Sequence, residues 1–569
     1  MQPFRSESRS NKIHKMLCVV IIVSVGILTL TEPVQADRPL TEMEPSVLES
    51  APGDQKQYLA KDSLPIARHH LHWIDGVVVT TYALGMLGIG WYYNRRQQNV
   101  DEYFVGNRSM NSYLIGISLF ATLFSTITYL STPGELIGHG PVILTGMIGI
   151  PFSYLVVGHF MIPFYMRYQV TSAYELLEIT LGVPVRITGA IMFIVLRLVW
   201  MSLLIFFASK AMIVMLGISD AWLPLVTFVT GAVAIVYASL GGLRAVVITD
   251  LMQFILLFGG AVMVLITVSV HLGGLSWIPT RWNPAWDVQP LFSINPKVRV
   301  TLVGSFFHGV VWWMCTAGSD QTAIQRFMAT RDMYAARRSF LTNTIAGAMV
   351  SVVLALVGFA LLAYFEAFPG ALLEGTTIAR DSDLLFPHFI SHHLPVGISG
   401  LVVSGMFAAA MSSLDSGVNS ITAVVMTDFI ERFGKRKISS RSRIRVAQRL
   451  ALLIGLIVVL TSSVMEYIPG NFLEISKRTI GLFVAPLFVL FAMSIFVPFA
   501  TSQATILATL VSFTSAFLVA YWGTFSGTSE VSFQWILPVS LLTGLAGGCL
   551  FSLMHRQLNI IFHQRTGSG

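Results

Sequence analysis

Residues 118–135 read Ser118-Leu-Phe-Ala-Thr-Leu-Phe-Ser-Thr-Ile-Thr-Tyr-Leu-Ser-Thr-Pro-Gly-Glu135. The stretch is apolar enough for a membrane, yet six serines and threonines fall from Thr122 to Thr132 and a Pro-Gly pair follows. Pro133 has no N–H and disfavours helix in the residue before it, so the pattern predicts a membrane helix that is broken. A break leaves carbonyls without helical partners, and these survive in a bilayer only when buried in protein or facing a polar cavity. Free carbonyls and hydroxyls are hard oxygen donors suited to a small alkali cation, and coupled transporters place their ion sites at discontinuous helices near the midplane. A Ser/Thr-rich helix–helix packing face fits the same residues. The segment alone does not choose between the two.

The rest of the chain supplies the membrane context. Its 569 residues are 54% hydrophobic and only 11% charged, with a mean hydropathy of +0.71. A soluble surface takes roughly 25% charged residues. Apolar runs of about 20 residues recur instead, the length that crosses the hydrocarbon. About thirteen spans are expected, near 74–94, 112–138, 141–165, 186–216, 221–240, 247–271, 300–318, 340–365, 396–428, 446–466, 472–498, 502–523 and 532–554. The net charge of +7 sits in loops between these runs, which points to a bilayer and not to nucleic acid. Cys18, Cys315 and Cys549 show no metal or redox spacing.

Before the first span, Arg5, Arg9, Lys12 and Lys15 precede an apolar run from Met16 to Leu30, and Val34-Gln-Ala36 offers a cleavage site. Residues 1–36 are expected to be a signal peptide, with an uncleaved anchor as the alternative. Residues 37–71 are expected to form a disordered non-cytoplasmic tail, 72–555 the membrane domain, and 556–569 a short cytoplasmic tail. Arg95, Arg96, Arg108, Arg167, Arg186, Arg244, Arg326, Arg331, Arg337, Arg338 and the basic run from Arg432 to Arg449 fall in alternate loops. That bias puts the mature N-terminus outside and the C-terminus inside a plasma or bacterial inner membrane, although Arg281, Lys297, Arg380, Lys477 and Arg478 dissent.

Two further segments carry chemistry. Ala408-Ala-Ala-Met-Ser-Ser-Leu-Asp-Ser-Gly-Val-Asn-Ser420 places Ser412, Ser413, Asp415 and Ser416 within about one turn, with Asp415 and Asn419 on one face. A carboxylate in a span needs a partner, often a cation or proton; a helix end facing the cytoplasm is the plainer alternative. In Gly241-Gly-Leu-Arg-Ala-Val-Val-Ile-Thr-Asp-Leu-Met-Gln253, Asp250 either lines an inner exit path or caps a helix N-terminus. Arg197 and Lys210 also lie inside a span and need partners.

Together these segments resemble the sodium:solute symporter family, which includes sodium/glucose and monocarboxylate carriers. Thr171-Ser-Ala-Tyr-Glu-Leu-Leu-Glu178 and Gly318-Ser-Asp-Gln-Thr-Ala-Ile-Gln-Arg326 add to the match, and the resemblance covers about 72–555. It implies an all-α polytopic membrane protein with two inverted five-helix repeats, here 112–271 and 300–498, the first opening on the broken helix. It implies sodium-coupled uptake of a small solute by alternating access, with no enzymatic chemistry and no cofactor beyond Na+ as coupling ion. Carried over by motif, the sodium ligands fall on the carbonyls of Ala121, Phe124 and Ala409 and the hydroxyls of Ser412 and Ser413. A second cation site or exit path falls on Asp250, Asp415 and Ser416, where Asp415 replaces a hydroxyl with a charge. Substrate positions fall on Thr128, Trp313 and Thr316. Bacterial sugar carriers of the family have an amide near the first and an asparagine and a tyrosine at the others, so the sugar pattern is not met. Sugars, sialic-acid-like sugars and monocarboxylates stay open. The rivals are a transporter-like sensor that binds without transporting, and a membrane enzyme. No signalling domain follows the last span, and His308 and the His392-His393 pair form no ligand cluster.

Overall fold

The computed structural model describes residues 71–96 and 108–566, apart from 169, 239–242, 373–374, 435–439 and 469–470. The expected signal peptide and most of the tail therefore lie outside the described residues. Every regular element described is a helix: α1 (Trp73–Arg96), α2 (Ser112–Leu123), α3 (Thr126–Gly138), α4 (Pro141–Tyr165), α5 (Tyr174–Leu181), α6 (Val183–Leu216), α7 (Leu223–Ala238), α8 (Leu243–His271), α9 (Leu302–Ser319), α10 (Gln321–Met328), α11 (Met333–Ala367), α12 (Ser382–His392), α13 (Ile398–Val424), α14 (Ser440–Ser462), α15 (Phe472–Phe496), α16 (Ser502–Ala520) and α17 (Ile536–Thr566). A π turn carries α13 on to Glu431.

Among the described residues ten helices are long and apolar enough to cross a membrane, or eleven when α2 and α3 count as one bent span. The expectation of thirteen is not met on that measure. Helix α7 has only 16 residues and stops at the undescribed stretch 239–242. Helix α9 carries His308, Trp312, Trp313 and several hydroxyls, which lower its apolarity. The last helix runs on to Thr566, through the expected tail.

The centre of the bundle is α13, 89% of whose most apolar stretch is buried. Its small residues explain how. A Cβ on Gly405 would press on the Leu256 backbone of α8, and one on Gly417 would meet the Met201 sulfur of α6 at 2.6 Å. Small residues let helices approach to van der Waals contact where no hydrophobic force separates protein from lipid. Helices α2, α3, α6, α8 and α10 all pack on α13. The same device joins α4 to α9, where a Cβ on Gly309 would collide with the Gly146 carbonyl.

The broken span is present, but the break is not at Pro133. Helix α2 ends at Leu123, Phe124 and Ser125 are extended (φ/ψ −91/95° and −98/173°), and α3 restarts at Thr126. The two halves bend by 63°. Pro133 lies inside α3, eight residues into it. A proline there removes one N–H, which a buried helix tolerates when neighbours fix it. Tertiary hydrogen bonds hold the break nine residues earlier: Ser413 Oγ donates to the Thr122 carbonyl at 2.9 Å, and Thr126 Oγ1 to the Met406 carbonyl at 3.2 Å.

Candidate cation site at the helix break

The last helical hydrogen bond of α2 runs from the Phe124 N–H to the Phe120 carbonyl at 2.7 Å. The carbonyls of Ala121, Thr122, Leu123 and Phe124 lie beyond it, as the final carbonyls of any helix do. Helix α13 passes this end, and Ala409, Ser412 and Ser413 sit on the passing stretch, all buried. Ser413 reaches the break directly through Thr122. Ser412 turns to α8 instead, and its hydroxyl donates to Asp250 Oδ1. Both hydroxyl protons are thus placed on acceptors, which leaves the oxygen lone pairs as the groups able to ligate a cation.

Asp250 is fully buried eight residues into α8. The helix-cap alternative for it is overturned, because a cap precedes the first turn. Its carboxylate also accepts from Ser118 Oγ at 2.5 Å. Facing it is Arg326, buried on α10, and this residue was missed as a site group because it reads as a loop cation in sequence. Arg326 donates through Nη2 to Thr122 Oγ1 and Ser416 Oγ, both at 2.6 Å, and through Nε to Ser118 Oγ at 3.0 Å. Its Nη2 lies 3.4 Å from Asp250. Thr122 and Ser416 hydroxyls meet at 2.9 Å. Asp415, buried on α13, acts on the same guanidinium through space. Two acidic side chains, Asp250 and Asp415, thus lie around this guanidinium.

The two motifs that accompany the resemblance are structural ties. Asp320 caps α10 through the Thr322 N–H at 2.8 Å and holds Arg197 at 3.3 and 2.5 Å. Gln321 joins Ala173 N at 2.6 Å and Thr171 O at 2.8 Å. Arg186 bridges Glu178 at 2.5 Å and Asp428 at 2.6 Å, which ties α5 and α6 to the far end of α13. The Arg186 hydrogen bond holds the Glu178 carboxyl below its ordinary range. Lys210 pairs with Asp220 at 2.9 Å.

The positions carried over for substrate separate. Trp313 and Thr316 of α9 line a small cavity with Leu123, Ser153, Asn343 and Gly347. Thr128, in the first turn of α3, is not part of that lining. Trp312 turns away from Trp313 towards Trp200 of α6 and Lys477 of α15.

A second charged cluster closes the C-terminal end of α3. Arg299 grips both Glu135 oxygens at 2.7 and 2.8 Å and Glu474 at 2.7 Å. His139 meets Asp287 at 3.0 Å, and Asp383 accepts the Phe472 N–H at 2.7 Å. Burial opposes the His139 imidazolium, but Asp287 and Glu135 outweigh it and raise its pKa. Burial, with Glu135 nearby, pushes the Asp383 carboxyl up to about 7.

Comparison with known proteins places this arrangement. A family model described as the sodium:solute symporter family matches residues 103–512. The sodium/sialic acid symporter of Proteus mirabilis is 27% identical over 468 residues, spanning 80% of this chain and 90% of that protein. Sodium-coupled monocarboxylate transporter 1 of Homo sapiens is 27% identical, spanning 79% of this chain and 72% of that protein. A solved substrate-bound, outward-open state of a Na+-coupled sialic acid symporter superposes with a TM-score of 0.72 at 25% identity, covering 84% of this chain and 98% of that one.

Proposed function

Because the chain belongs to the sodium:solute symporter family, we propose that it imports a small organic solute by alternating access, driven by sodium bound at the break between α2 and α3. The observation that carries this reading is the end of α2, where carbonyls past the last helical bond lie beside α13, Ser413 donates to one of them, Thr122, and the Ser412 proton is held by Asp250. The sodium ligands are the carbonyls of Ala121, Phe124 and Ala409 with the hydroxyls of Ser412 and Ser413. Their protein oxygens replace water at an ion that the bilayer would otherwise exclude.

Asp250, Asp415 and Ser416 form the exit path. Arg326 already supplies one cation there, and the two acidic side chains draw a sodium ion leaving the break towards the inner side. Residues 112–271 and 300–498 act as the two inverted repeats, with α7 and α9 completing thirteen spans in a plasma membrane. The mature N-terminus is outside, so the Glu135–Arg299–Glu474 cluster closes the outer mouth and the Arg186–Asp428 cluster the inner one. Thr128, Trp313 and Thr316 flank the solute route between them. The lipid bilayer is the medium, and the solute and sodium are the partners.

Reconstituted protein should accumulate a labelled solute only with inward sodium, and Ser413→Ala should raise the sodium concentration that half-saturates uptake. Sodium-independent uptake would remove sodium coupling and turn attention to protons at Asp415. Solute binding with no uptake would favour a sensor.

A further inference from the structure

Lys477 is the sixth residue of α15, one of the helices long and apolar enough to cross the membrane. A lysine ammonium inside a span costs about 2.5–3.5 kcal/mol, and such groups ordinarily face a carboxylate or a water-filled path. Among the described residues no carboxylate lies within salt-bridge distance of Lys477. The acids near it are engaged: Glu474, one turn back, holds Arg299 at 2.7 Å, and Glu530 pairs with the adjacent Arg478. The Lys477 ammonium lies instead 3.6 Å from the centre of the Trp312 ring. A cation over an indole recovers about 0.5–2 kcal/mol, less than a paired charge would, and it leaves the N–H groups pointing away from the ring free to donate.

Aromatic rings surround the lysine. Trp312 packs on Trp200 with ring centres 5.9 Å apart, and His308 stacks parallel to it at 6.1 Å. Arg197 lies 4.8 Å over Trp200 and is paired with Asp320. Lys477 and Trp312 both keep part of their surface accessible. Helix α15 packs on α3, α6 and α9 at once, so the lysine stands where the break's outer half meets both tryptophan-bearing helices.

We propose that Lys477 recognises a carboxylate on the transported solute, with the partly accessible Trp312 beside its carbon body, so that this carrier selects organic acids over neutral sugars. This rests on the symporter reading. It adds a residue outside the positions carried over from the family, and it chooses among the solute classes that the sequence leaves open.

The test uses the full chain in proteoliposomes with labelled sialic acid, L-lactate and D-glucose, each with and without an inward sodium gradient. Sodium-dependent uptake of at least one acid and not of glucose is expected. Lys477→Met should raise the KM for that acid at least tenfold with little change in the sodium concentration for half-saturation, and Lys477→Arg should restore it to within about threefold, a tenfold change being about 1.4 kcal/mol. Should Lys477→Met fail to fold, Lys477→Gln and Lys477→Arg carry the comparison. Glucose as the preferred solute, no uptake of either acid, an unchanged KM in Lys477→Met, or an equal loss for every solute with stability lost as well would each overturn the assignment. Failure of the symporter reading looks different, because acid uptake would then proceed at the same rate without sodium.

Discussion

Removing the hydroxyls of Ser412 and Ser413 one at a time separates a cation site from a packing seam. Ser413 donates to the neutral Thr122 carbonyl at 2.9 Å, so its loss should lower sodium-free stability by about 1 kcal/mol. Ser412 donates to the buried Asp250 carboxylate, and a hydrogen bond to a charged group is worth about 1.5–3 kcal/mol. Ser412→Ala should therefore be the less stable variant in sodium-free buffer. Sodium adds a second, independent effect. Each variant removes one of five proposed oxygen ligands, and a tenfold weaker site corresponds to about 1.4 kcal/mol. Stabilisation by a ligand follows RT ln(1 + [L]/Kd), so the rise of melting temperature with sodium should shift about one decade towards higher concentration in both variants. The assay is thermal unfolding in detergent across a sodium titration, with choline keeping the ionic strength constant. Threonine at either position should keep the sodium response. If sodium-free stability falls in the order given while the sodium response of both variants matches the parent, the serines are a packing seam and the proposed site is refuted.

Other perturbations follow from the same geometry. Arg326→Met leaves Asp250 and Asp415 buried without their guanidinium, which should cost about 3–5 kcal/mol; sodium should rescue its melting temperature more strongly than the parent's, and an equal or weaker rescue would show that the cluster does not attract a small cation. Gly309→Ala forces a Cβ into the Gly146 carbonyl and should lose about 1–3 kcal/mol or more by overpacking, read as a lower melting temperature; an unchanged value would show that α4 and α9 can part easily. The charged cluster at the C-terminal end of α3 should loosen with rising pH. His139, raised, contributes stability below its ordinary value that is lost as pH rises through the shifted one. Asp383, pushed up to about 7, acts in the same direction up to that pH. Melting temperature should fall as pH rises from the ordinary carboxylate range to about 7 through Asp383, and further above the ordinary histidine value through His139, and His139→Gln with Asp383→Asn should flatten the slope. Arg299→Met leaves Glu135 and Glu474 facing each other; it should raise cysteine-probe accessibility at position 128 in a Thr128→Cys background, and unchanged labelling would show that the cluster does not close the outer mouth.

Much of the membrane architecture was legible from apolar run length, because the bilayer imposes one length on every span. The broken helix was legible too, from hydroxyls crowded into an apolar run, but its position was not. Proline chemistry is local and suggested residue 133, whereas the break is set by α13 hydroxyl and carbonyl groups nearly 300 residues away. The same distance hid Arg326. In sequence it ends a motif among loop cations, and only the packing of α10 beneath the break shows that it faces Asp250, 76 residues earlier. Arg197 read as needing a partner, and Asp320 is that partner, though nothing local names it. Lys477 read as a cation dissenting from the loop bias although the expected span 472–498 already contained it; the Asn471 cap, accepting the Glu474 N–H at 2.8 Å, starts α15 at Phe472 and keeps the lysine within the helix.

One feature of the core has a mechanical meaning. Helix α13 is a buried rod, while α2 and α3 meet beside it at 63°. An ion held by both is a strut between a rod and a hinge. Its ligand distances depend on the hinge angle, so the same five oxygens grip well at one angle and poorly at another. Filling the site then stiffens the hinge, and emptying it releases α3 together with the outer cluster at its end. If sodium binds there as proposed, the energy of its gradient would be expressed as an angle at this joint.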